Sequence, residues 1–202
     1  MEAVTKSPVL IYTEQTPNPE SLKFVTNRML YSGTADFREA ESAVEWSPLA
    51  TALFAHPYVK GVYICNNFVS ITKEFNYDWA EVMLKAKELI KNYVEEGGVV
   101  VKEGFSEHFA KTEAEKGGVQ YTGDEAELVK RIKDLIDTYV KPAVEMDGGN
   151  IEFKSFHNGT VNVILQGSCS GCPSSTVTLK SGIEGMLTRM IPEVKEVVSE
   201  MG

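Results

Sequence analysis

Residues 167–175 read GSCSGCPSS, which puts Cys169 and Cys172 three positions apart among glycines and serines. Two thiols at that spacing can close as a disulfide or hold adjacent corners of one metal centre. A tetrahedral zinc or an iron–sulfur cluster takes four protein ligands, so the pair is either a redox dithiol or half of a larger site. The other soft ligands in the chain are one distant cysteine, Cys65, and three histidines, His56, His108 and His157.

The polypeptide that must position this pair has 202 residues, 43% hydrophobic and 24% charged, enough for one large or two small soluble domains with their own cores. Three cysteines are too few for a disulfide framework, and an odd number argues against an oxidised, secreted chain. The amino terminus has neither the apolar run of a signal peptide nor the Arg- and Ser-rich composition of a transit peptide. These features together lead to the expectation of a reducing, cytoplasmic compartment, although a matured organellar protein would show the same features. The net charge of −9 is spread along the chain, leaving no basic stripe for a phosphate backbone, so nucleic acid is not expected as a partner. No window approaches the roughly twenty apolar residues of a membrane span.

Composition shifts at GGVVVKEGFSEHFAKTEAEKGGVQYTGD, where Gly97-Gly98 and Gly117-Gly118 bracket a charged stretch. This divides the chain into a domain over residues 1–99, a linker over 100–123 with one short helix near Ser106–Glu115, and a second domain over 124–202. In the first domain, VLIYTEQ and SLKFVTNRML read as strands separated by the turn TPNPE. SPLATALF reads as a helix with Ser47 as N-cap and Pro48 at its first position. YVKGVYIC and FVSITKEF flank a hairpin turn at Asn66-Asn67. A long helix follows, capped by Asp78, with Trp79, Val82, Met83, Ala86, Leu89, Ile90 and Tyr93 on one face.

In the second domain, Asp124 is expected to cap a helix whose buried face is Leu128, Ile132, Leu135, Ile136, Tyr139 and Val140, kinked or ended by Pro142. NIEFKSF and TVNVILQ alternate like strands joined at Asn158-Gly159. After the cysteine loop, Pro173 opens a helix bearing Thr176, Leu179, Ile183, Met186, Leu187 and Met190, and VKEVVSEM forms a last strand. The fold class is therefore α+β: two small mixed domains, the second with α-β-β-α-β order and its CxxC loop between a strand and a helix.

That placement has chemical consequences. Unpaired N–H groups at a helix start favour thiolate over thiol and can donate to cluster sulfides. Gly167 and Gly171 let the backbone approach a metal closely. A pair of small residues without chemistry is the bland reading. A thioredoxin-like dithiol is the redox reading, but such a motif belongs to a βαβ unit, whereas this one follows an antiparallel hairpin. Zinc lacks ligands unless two chains share it. Cys65 ends an apolar strand and reads as a buried small hydrophobe, and the three histidines read as surface or packing residues. Two copies meeting across a two-fold axis would complete a four-thiolate set.

The stretches PAVEMDGGNIEF, GTVNVILQGSCSGCPSSTVTLKSGIEGML and IPEVKEV resemble the NifU-like C-terminal domain of Nfu-type iron–sulfur cluster scaffold and carrier proteins. TPNPESLKF, SPLATALF and VKGVYICNNFVSITK resemble the N-terminal domain of the two-domain members. The resemblance implies a non-enzymatic protein whose homodimer binds a [4Fe–4S] cluster, or a [2Fe–2S] one, through Cys169 and Cys172 of each subunit. Apo iron–sulfur client proteins and upstream cluster-assembly proteins would be its partners. Asp147-Gly148-Gly149 and Pro173 are implied to be structural. A thiol–disulfide oxidoreductase using the same pair is the alternative from another class.

Overall fold

The computed structural model describes residues 7–115, 121–170 and 173–201. Its first half is built on a five-stranded antiparallel sheet of β1 (Ile11–Gln15), β2 (Ser21–Thr26), β3 (Tyr31–Phe37), β4 (Val59–Asn66) and β5 (Phe68–Lys73), in the order β1-β2-β5-β4-β3. Asn66 adopts a left-handed φ of 48° and turns the chain from β4 into β5, as its side chain permits. Helices α1 (Ala40–Trp46), α2 (Pro48–Phe54) and α3 (Trp79–Glu95) pack on one face, where Leu22, Phe24, Val62, Ile64, Val69 and Ile71 meet Leu49, Leu53, Ala86 and Ile90.

The local signals for these elements hold. Ser47 Oγ accepts from the Ala50 amide at 3.0 Å and starts α2, and Asp78 accepts from the Ala80 amide at 2.8 Å and starts α3. Two elements escape the sequence reading: β3, whose sequence YSGTADF lacks clean alternation, and the short helix α1. Val100 and Phe105 also join this core, and the Phe105 ring lies 5.5 Å from that of Phe37 and 5.8 Å from that of Trp46. Phe105 opens α4 (Phe105–Glu115).

The second half runs α5 (Asp124–Leu135), a π-helical turn (Ile136–Val140), α6 (Lys141–Met146), β6 (Gly149–His157), β7 (Thr160–Gly167), α7 (Pro173–Met190) and β8 (Glu196–Met201). The expected α-β-β-α-β order is thus present. Gly123, with φ 60°, and not Asp124, occupies the cap position, and Asp124 joins Glu125 and Glu127 in the first turn, where carboxylates favour the helix dipole.

Pro142 neither ends the helix nor interrupts its apolar stripe. It has no N–H to donate, and the wider π turn just before it absorbs the strain. That turn also re-phases the helix. Ile132, Ile136, Val140 and Val144 stay buried at strict four-residue spacing, while Tyr139, expected inside, is 61% exposed. On α7, Ile183 and Leu187 are buried, whereas Met190 is 44% exposed.

β6 and β7 form the antiparallel hairpin, and β8 then pairs with β7 in parallel. The segment β7–α7–β8 is therefore a βαβ unit, and this corrects the topological argument made against a thioredoxin-like motif. The cysteine loop stands at the strand-to-helix turn of that unit. Among the described residues, no helix is long and apolar enough to cross a membrane.

Candidate functional site

The loop that leaves β7 is shaped by two neighbouring glycine turns. Gly167 has φ 64° and Gly148 has φ 80°, both in the region that favours glycine. The Ser168 amide donates to the Gly148 carbonyl at 3.3 Å, and the Ser168 hydroxyl donates to the Asp147 carbonyl. Ser170 closes the turn on the Gly167 carbonyl through its amide (3.1 Å) and its hydroxyl (2.8 Å).

Gly149 is the floor beneath Cys169. A Cβ there would lie 2.5 Å from the Gln166 carbonyl oxygen and 2.9 Å from Cys169 Sγ. The Asp147-Gly148-Gly149 run is a turn, as expected, but it also makes the space the thiol occupies. The sequence reading missed that second role, because the pairing of Gly149 with Gly167 becomes visible only in the register of the hairpin.

Cys169 is 5% exposed and packs with the core of its own half. Burial pushes its thiol up to about 11, against the lowering effect of a hydrogen bond with Ser168, and the nearby Asp147 carboxylate adds to the rise. The helix-start environment was expected to favour thiolate, but α7 begins four residues later and desolvation dominates at Cys169. Gly171 and Cys172, the second half of the motif, lie outside the described residues.

The other candidate ligands stand elsewhere. Cys65 is 2% exposed in a small cluster with Val25, Tyr63 and Phe68, and burial raises its pKa. His157 pairs with Thr160 at the far end of the hairpin, whereas Gly149 pairs with Gly167 beside the cysteine loop. His56 stacks on Tyr58 at 5.2 Å, and His108 lies against Trp46 at 4.9 Å. Among the described residues, no three His, Cys, Asp or Glu side chains converge as a metal site.

What sequence reasoning did not anticipate is a contact between the two halves at this loop. Asn18 Nδ2 donates to the Ser168 carbonyl at 3.1 Å, in a buried bond. Ser70 Oγ donates to the Gly148 carbonyl at 2.7 Å, and Lys23 Nζ donates to the Met146 and Glu145 carbonyls at 3.1 and 3.3 Å. Arg38 donates to the Leu165 carbonyl at 3.1 Å and to the Asp36 carboxylate at 3.3 Å. Burial raises the pKa of Asp36 above the ordinary carboxylate value, against the lowering effect of the neighbouring Arg38.

Two small α+β units, one presenting Cys169 just beyond its second strand, define a thiol-bearing module joined to a companion domain. Residues 132–198 match the family described as NifU-like domain, and residues 11–97 match the family described as scaffold protein Nfu/NifU N terminal. A protein of Drosophila persimilis named NFU1 iron-sulfur cluster scaffold homolog, mitochondrial, is 38% identical over 98% of this chain and 67% of its own length. The human protein of the same name is 38% identical over 96% of this chain and 72% of its own length. The chain thus spans about two thirds of the length of such relatives. A solution structure of a NifU-like protein from Saccharomyces cerevisiae aligns at TM-score 0.45 and 23% identity, covering 51% of this chain and 92% of that one. The chain belongs to the Nfu-type family of NifU-like scaffold proteins.

One expectation is overturned by these relatives. The cytoplasmic placement does not stand, because the relatives at 38–40% identity are named mitochondrial proteins. A small, odd number of cysteines reports a reducing environment, and more than one compartment provides that.

Proposed function

We propose that this chain is an iron–sulfur cluster carrier, not a catalyst, and that it works in mitochondria. Two copies hold a [4Fe–4S] cluster as cargo between Cys169 and Cys172 of each subunit. They receive it from upstream assembly proteins and pass it to apo-proteins by stepwise thiolate exchange. The observation that carries this reading is a CxxC pair in the sequence of a NifU-like domain, in a chain similar along nearly its whole length to named scaffold proteins. Two thiolates supply half the ligands of a cluster, so a second copy completes the set. Ligands on a loop can be displaced, and thiolate ligation competes with protons, so such a cluster is releasable.

The βαβ placement gives the thiol–disulfide oxidoreductase a structural argument it lacked in the sequence. Burial, however, raises the pKa of Cys169 to about 11, which does not favour it as the attacking thiol of a dithiol.

Anaerobic reconstitution with iron and sulfide, followed by metal, mass and absorbance measurement on one sample, tests the proposal. One cluster per two chains is the expected stoichiometry. Cys169→Ser or Cys172→Ser should lose the colour and Cys65→Ser should keep it. A complete cluster on a monomer, or a brown Cys169→Ser protein, would refute the assignment.

A further inference from the structure

The five-stranded sheet has two covered faces. All six residues of β2 are buried, including Lys23 at 8% exposure, although only alternate positions face the helices. The other face presents Lys23, Val25, Tyr63, Cys65, Phe68 and Ser70, and the turns of the second half cover it. A Cβ on Gly167 would lie 2.9 Å from Tyr63 Cγ, and one on Gly148 would lie 2.7 Å from Ser70 Oγ. Lys23 Nζ lies 4.5 Å from the centre of the Phe68 ring while it donates to the carbonyls that end α6.

The contact is concentrated on one place. Among the described residues, the hydrogen bonds between the halves all end on residues 145–148 and 165–168, immediately before Cys169 and on the turn beneath it. The side chains that donate across the interface reach main-chain carbonyls, so the sheet recognises the fold of this loop and not its side chains. Beside the loop, a solvent-open cleft of about 240 Å³ has Asp36, Arg38, Tyr63, Lys73, Gly167 and Ser170 in its wall. Polar bonding is typical of domain interfaces that separate.

From this geometry we infer that the outer face of the N-terminal sheet is a clamp for the cysteine loop, and that exposing Cys169 and releasing the N-terminal domain are one linked event. With Ser168 held by Asn18 and the Gly148 turn beneath it held by Ser70, the loop keeps Cys169 turned into its own core. A thiol shared with a second copy must leave that core, and the bonds on the preceding residue and on the turn beneath it oppose the movement. This last step rests on the cluster-sharing reading above, whereas the clamp itself does not. Cluster loading would then shift a docked-to-released equilibrium through its preference for the released form.

Site-resolved alkylation with iodoacetamide, read by peptide mass spectrometry on the metal-free full chain, tests the clamp. Cys65 lies on the docking face and Cys169 in the clamped loop, so each thiol reports a different part of the event. Ser70→Arg inserts bulk into the interface on the side away from the N-terminal core. Asn18→Asp removes the donor to Ser168 while keeping Oδ1, which accepts from the Glu20 amide at 3.0 Å. Ser70→Arg should speed labelling of both cysteines, and Asn18→Asp that of Cys169, by about tenfold, since each weakens a contact that opposes local opening. Faster labelling of Cys65 with Cys169 unchanged overturns the clamp, as does an unchanged rate at both. If Ser70→Arg fails to fold, Asn18→Asp decides alone.

Iron and sulfide uptake by the same variants tests the linkage. Faster loading is expected, and equal loading beside faster labelling would overturn the linkage alone. A native chain that never loads would instead refute the cluster proposal, and the labelling result would still decide the clamp.

Discussion

Gly149 shows how a residue without a side chain can define a ligand's position. Its missing Cβ is the space between Cys169 Sγ and the Gln166 carbonyl, and a backbone oxygen at 2.5 Å cannot move aside as a flexible side chain would. Gly149→Ala should therefore cost about 1–3 kcal/mol in a denaturant titration and displace Cys169. Gly182→Ala makes a sharp control, because nothing lies within 4 Å of its added methyl on the exposed side of α7. That substitution should stabilise by about 1 kcal/mol through helix propensity. Equal effects at the two glycines would mean that Gly149 is not packed as described.

At the level of elements, the signals that held are those completed within a few residues. Ser47 caps α2 through the Ala50 amide, and its hydroxyl also donates to the Val100 carbonyl at 2.7 Å, joining the helix start to the segment beyond α3. The residue is fully buried, so Ser47→Ala orphans two main-chain groups that water does not reach. A loss of about 2 kcal/mol is expected, at the upper end for a cap, measurable as a shift in unfolding midpoint. A shift no larger than that of an exposed cap would contradict the double bond. The π turn is the opposite case. Pro142 announced a disturbance, but the side to which the helix would re-phase depended on the stripe that the sheet of the second half selects, and Tyr139 was rotated outward as a result.

At the scale of the whole molecule, two cores of different membership are joined by a contact around one loop. One contains Phe24, Leu53 and Ile90, and the other contains Ile132, Leu165 and Leu187. Separate cores favour separate unfolding. Calorimetry of the metal-free chain should resolve two transitions, with Ser47→Ala lowering one and Leu187→Ala, at about 2–5 kcal/mol, lowering the other. A single transition moved by both variants would show one cooperative unit.

Much was legible before any coordinates: the caps at Ser47 and Asp78, the turns at Asn66 and Asn158-Gly159, and the order of the second half. Each rests on interactions between residues a few positions apart, which the local sequence states completely. The strand β3 was missed because YSGTADF has no clean period. The two-faced burial of β2, β4 and β5 was missed because the groups that cover Lys23, Ser70 and Tyr63 belong to segments far along the chain. The same distance in sequence hid the state of the thiol. Residue type and spacing determined that Cys169 could be a ligand, but contacts from Gly149 and its own core decided that it is buried with a raised pKa, and the bonds from Asn18 and Ser70 that hold its loop come from the other half of the molecule. Local chemistry is written in adjacent residues, whereas solvent access depends on which distant surfaces meet.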